Sequence, residues 1–101
     1  MDNAVLSREI QELNRRYLNL CVRASENQLV DLCLRTNATM PFIRAVRELS
    51  SEQLEALIQT PRCLVQPSVD ERAVAQASQM ACPTTRSMFV ASASQVKHAV
   101  A

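Results

Sequence analysis

Leu6, Ile10, Leu13, Tyr17 and Leu20 follow one another at alternating steps of four and three residues. On an α-helix that alternation places all five along one narrow seam, the geometry of a coiled-coil stripe. A seam so narrow packs either inside its own chain or against a partner helix. Arg8, Glu9, Glu12, Arg15, Arg16 and Arg23 cover the faces beside it, and Glu12 with Arg16 makes a favourable i,i+4 pair. The pattern predicts a first helix over residues 5–23.

Helical text continues almost without interruption to residue 59. Residues 28–34 are apolar nearly all round, the pattern of a short helix buried between others, and Asn37 suits the left-handed conformation that ends such a helix. Thr39 is the natural N-cap of a third helix, with Pro41 tolerated in its first turn. Phe42, Ile43, Val46 and Leu49 form its inner face, and Arg44, Arg47 and Glu48 are expected together on the outer one. Ser50 and Gln53 make a capping box for a fourth helix, with Leu49 and Leu54 placed as a hydrophobic staple and Pro61 as its stop. Residues 63–67 read as extended. Ser68 and Glu71 form a second capping box for a helix reaching about residue 81; Cys82-Pro83 breaks the chain again. Thr84 or Thr85 then caps a last helix that carries Phe89, Ala93, Val96 and Val100 on one face.

The chain has 101 residues and no glycine. Its length allows one domain burying about two thirds of its unfolded surface, and strands joined by tight turns usually need glycine. The expected fold is all-α, a helical core over residues 1–67 followed by a weakly hydrophobic, Ser- and Ala-rich helical region over 68–101. Because 48% of residues are hydrophobic but only 3% aromatic, the core is modest and burial against a partner is an expected supplement.

Charge excludes an autonomous DNA-binding domain, since Lys plus Arg 11 against Asp plus Glu 10 leaves a net charge of +1. Any surplus lies in the C-terminal third, where Arg72, Arg86 and Lys97 outnumber Asp70 and Glu71. Every basic side chain except Lys97 is an arginine, which favours planar, bidentate contacts to carboxylate or phosphate. No signal sequence and no run of about 18 apolar residues is present, so a cytoplasmic protein outside the membrane is expected. Cys21, Cys33, Cys63 and Cys82 lack the spacing of zinc ligands, and three of them read as small apolar packers. Cys82 and His98 have neither an orienting third group nor a glycine-built oxyanion turn, so no catalytic residue, metal or cofactor is assigned.

Ile10, Glu12, Asn14, Tyr17, Leu18 and Leu20, then Arg35 and Asn37 at an Arg-x-Gly-like turn, then Leu49, Ser50, Gln53, Leu57 and Thr60 occur in an order and spacing that resemble the FlhD family of flagellar transcriptional activators, including its relatives in conjugative elements. The resemblance spans residues 6–60. It implies an intertwined all-helical homodimer, with Leu6, Ile10, Leu13, Tyr17 and Leu20 in the dimer interface. This dimer would join a zinc-binding FlhC-like subunit in a hetero-oligomer that binds promoter DNA and recruits RNA polymerase. The family keeps a helix-turn-helix-like DNA-contacting region in its C-terminal third, which this chain matches loosely around Thr84, Thr85, Arg86 and Ser87; with the basic residues Arg72 and Lys97 of the same third, Thr84, Thr85 and Arg86 are the expected DNA contacts. In the family, the cysteine that can form a disulfide across the dimer follows the fourth helix, and Cys63 stands slightly before that place.

Two roles stay open for several residues. Arg44 and Arg47 form either a solvated face or a contact to a partner. Thr84, Thr85 and Arg86 either cap a helix or hold a phosphate through hydroxyls, backbone N–H groups and a guanidinium. The expected function is a non-catalytic subunit of a bacterial transcriptional activator serving flagellar or conjugative-transfer operons. The competing expectation is a helical adaptor or anti-activator without DNA binding.

Overall fold

In the computed structural model, the backbone is described for residues 1–100 and the side chains for residues 1–94. Among the described residues six α-helices form: α1 (Asn3–Arg23), α2 (Leu29–Thr36), α3 (Met40–Arg47), α4 (Ser51–Ile58), α5 (Glu71–Ser78) and α6 (Pro83–Val100), with a 3-10 turn at Glu26–Gln28. No strand occurs among the described residues, and no helix there is long and apolar enough to cross a membrane.

Local chemistry sets most boundaries. Asp2 caps α1 by accepting the Val5 N–H at 2.8 Å, which begins the helix earlier than the apolar pattern indicates. Asn37 ends α2 at φ 61°, the left-handed conformation expected of it. Thr39 accepts from the Phe42 N–H at 3.3 Å, and the Ser50–Gln53 capping box closes in both directions at 3.2 and 2.9 Å. The stretch Ser25–Gln28 holds a further reciprocal cap that the sequence carries openly, with the Gln28 side chain accepting the Ser25 N–H at 3.0 Å.

Two expected starts move. α5 is capped by Asp70, which accepts the Ala73 N–H at 2.9 Å, rather than by Ser68. An ionised carboxylate at the helix N-terminus also gains from the helix dipole, an advantage the neutral serine hydroxyl lacks. Pro83 starts α6 instead of breaking the chain, because its missing N–H costs nothing at the first helical position. Thr84 and Thr85 therefore lie inside the first turn and are not the cap.

One cluster makes the core: Leu18 and Cys21 from α1, Leu29 and Leu32 from α2, Ala38, Ile43 and Val46 from and beside α3, and Ile58 from α4, with Leu54, Leu57 and Leu64 packed against it. The second helix is less enclosed than its composition indicates, since Val30 is 64% and Leu34 59% exposed while Leu29 and Leu32 are buried. Packing against the 3-10 turn, α3 and α6 still leaves the Val30 and Leu34 positions open. Ala73 and Ala77 pack α5 on α6, which returns to touch α2. The radius of gyration is 15.4 Å, against about 13 Å for a globule of this length, so one copy is more extended than a sphere.

Candidate protein and nucleic-acid interfaces

α1 presents two apolar faces with different fates. Asn14, Leu18 and Cys21 are fully buried against the core. Leu13 precedes Asn14 and Leu20 precedes Cys21, and one residue rotates an α-helix by about 100°, so the seam leucines point away from that core. Leu6, Leu13 and Leu20, seven residues apart, remain 46%, 53% and 49% exposed. Ile10 and Tyr17 lie between the faces and are half-buried. Tyr17 turns inward to stack on Phe42 with centroids 6.1 Å apart and planes 15° from parallel. Burial raises its phenol above the ordinary range. The expected seam thus divides into an unpartnered leucine stripe and two residues shared with the core.

Asn14 is the organising polar group of the inner face. Its amide donates to the carbonyls of Thr60 at 3.3 Å and Arg62 at 2.9 Å, while its oxygen accepts the Leu64 N–H at 2.8 Å. Three hydrogen bonds from one buried side chain tie the irregular stretch after α4 to α1, and they lay Leu64 on the core. Beside it, Gln11 donates to the Gln59 carbonyl at 2.7 Å, satisfying an end group of α4. Nothing in the local pattern assigns Asn14 this role, because its partners lie far away in sequence.

The arginines differ in what they hold besides a carboxylate. Arg15 grips Glu55 of α4 in a bidentate pair at 2.8 and 3.0 Å. The hydrogen bond from Arg15 is the main cause that lowers the Glu55 carboxyl, and Glu55 in turn raises the Arg15 guanidinium. Arg47 does not share the outer face of α3 with Arg44. It reaches the C-terminal end of α1 and donates to the carbonyls of Cys21, Val22 and Ala24 at 2.9, 3.1 and 2.7 Å. Arg44 pairs with Glu26 at 2.9 Å and Arg47 reaches the same carboxylate at 3.7 Å, but Arg44 is the more exposed of the two residues expected to meet a partner.

In the C-terminal third, Arg72, Thr84, Thr85 and Arg86 are all exposed; the Lys97 side chain lies outside the described residues. Arg72 opens α5 and the other three open α6, so the length of α5, about 12 Å, lies between the two groups. Cys82 directly precedes α6. Its thiol is lowered by hydrogen bonds from the Thr85 N–H, the Thr85 hydroxyl and the Thr84 N–H, in falling order of effect. Cys82 and Cys63 are both exposed, so two cysteines rather than the expected three pack, Cys21 buried and Cys33 half-buried; the Cys63 thiol donates to the Val65 carbonyl at 3.2 Å. No group of three or more metal-ligating side chains occurs among the described residues.

Comparison with protein-family models, curated proteins and solved structures found no match to this chain.

Proposed function

We propose that the protein is a non-catalytic subunit of a bacterial transcriptional activator of the FlhD type. It acts as a homodimer, joined to a zinc-binding FlhC-like subunit, on promoter DNA that it serves by recruiting RNA polymerase. The observation that carries this reading is the exposed Leu6–Leu13–Leu20 stripe, a seven-residue repeat on a 21-residue helix whose opposite side is already packed. A repeat of that period matches a facing helix with the same repeat, and a second copy supplies one. The more extended shape of a single copy agrees. α5, a four-residue link and α6 have the element order of a helix-turn-helix, with Arg72, Thr84, Thr85, Arg86 and Lys97 as its DNA-facing residues. Cys63, exposed after α4, would be free to bridge two copies.

The experiment is tagged co-purification from the native host with nuclease treatment, followed by promoter footprinting at several salt concentrations. Recovery of a cysteine-rich zinc-binding subunit in fixed stoichiometry, with salt-sensitive protection of a defined site, is the expected result. A dimer that recovers other regulators and protects no DNA would replace this reading with the adaptor or anti-activator one, which the net charge of +1 favours.

A further inference from the structure

A cleft of about 540 Å³ opens between the end of α2 and one face of α6. Arg35 and Leu34 form one wall. Arg86, Val90 and Ser94, at steps of four along α6, form the other with their neighbours Ser87 and Ala91, and Ser68 also lines it. No acidic residue lines it. Arg35 spends its Nε on Asp31, one turn back on α2 at 3.1 Å, which leaves the two terminal nitrogens of its fork without a partner among the described residues. Arg86 has no carboxylate partner there either.

We propose that this cleft is a phosphate-ester site, in which Arg35 and Arg86 close on one phosphate group from opposite walls. A guanidinium presents a planar fork of donors that fits phosphate oxygens in pairs, and hydroxyls of Ser68 and Ser87 add donors around the same anion. A tetrahedral phosphate offers oxygens to both walls at once, whereas a carboxylate offers two oxygens in a single plane. The volume exceeds that of a bare phosphate and falls within the range of small-molecule sites. Leu34, Val90 and Ala91 give the remainder an apolar surface on which a sugar can rest. The phosphate comes either from a DNA backbone or from a free nucleotide; only the first source rests on the activator reading. Because α2 belongs to the core and α6 to the C-terminal pair, the bound anion also clamps one against the other.

Amide NMR titration of the full chain tests this, first with inorganic phosphate, then with deoxyadenosine monophosphate, then with short duplex DNA. Saturable shifts around Arg35, Arg86 and Ser87 are expected, with a dissociation constant on the order of 1 mM for phosphate. Arg35→Gln and Arg86→Gln should each weaken binding about tenfold, since either removes one arm of the clamp. Arg8→Gln, on the exposed side of α1, should leave it unchanged. Shifts that do not saturate, that survive both cleft substitutions, or that fall equally with Arg8→Gln would overturn the proposal. If duplex DNA displaces phosphate, the backbone is the source; if only the nucleotide does, the site takes a free ligand and stands without the activator reading.

Discussion

Asn14 shows how a single residue decides where a chain segment goes. Its side chain supplies three of the hydrogen bonds that hold residues 60–64 on α1, from a position with no exposure to water. Asn14→Leu keeps the branched shape, with two bulkier methyl groups, but leaves two carbonyls and one N–H without their partner. Thermal unfolding of this variant should show a loss of about 1–3 kcal/mol. The Arg15–Glu55 pair acts differently, because both groups remain open to water and the interaction is screened. The folded-state carboxyl of Glu55 lies below its unfolded value, so its contribution is present at neutral pH and is lost as pH falls through the folded-state value. Denaturant midpoints followed from neutral to acidic pH should show this loss, and Arg15→Gln should flatten that limb. Of these two roles, Arg15 was legible as a charged flank of the seam. The Asn14 role was not, since its partners come from a segment without secondary structure.

Among the elements, α1 depends on a residue outside itself. Its last turn exposes carbonyls that Arg47 of α3 caps with three charge-assisted hydrogen bonds. Arg47→Ala should destabilise the fold by about 1.5–3 kcal/mol, while Arg44→Ala, which loses only a surface pair, should cost less than about 1 kcal/mol. Chemical denaturation of the two variants side by side measures the difference. The caps at Asn37, Thr39 and Ser50 were readable because each acts within four residues of itself. Ser68 misled for the same local reason: Asp70 offers a stronger acceptor two residues later, and the motif alone does not rank the competitors. The apolar run of α2 also misled, because composition counts apolar residues without saying how many neighbours exist to cover them.

At the scale of the whole molecule, Leu13 and Leu18 stand five residues apart on one helix and should answer mutation in opposite ways. Leu18→Ala opens a cavity in the core and should cost about 2–5 kcal/mol in unfolding free energy, whatever the state of assembly. Leu13→Glu combined with Leu20→Glu should leave helix content intact by circular dichroism yet raise the dimer dissociation constant at least about 100-fold in analytical ultracentrifugation, since each buried leucine is worth about 1.5–3 kcal/mol. A monomeric wild-type protein would refute the role given to the stripe. The sequence by itself determined that this chain is helical, where most helices begin and end, and that α1 carries a seven-residue leucine repeat. Those properties depend on neighbours within a turn or two. Only the tertiary structure decided which apolar face of α1 is spent on the core, that Arg47 turns inward while Arg44 does not, and that Arg35 and Arg86, 51 positions apart in sequence, line one cleft. Each of these depends on which distant segments meet, and no local period or cap encodes that.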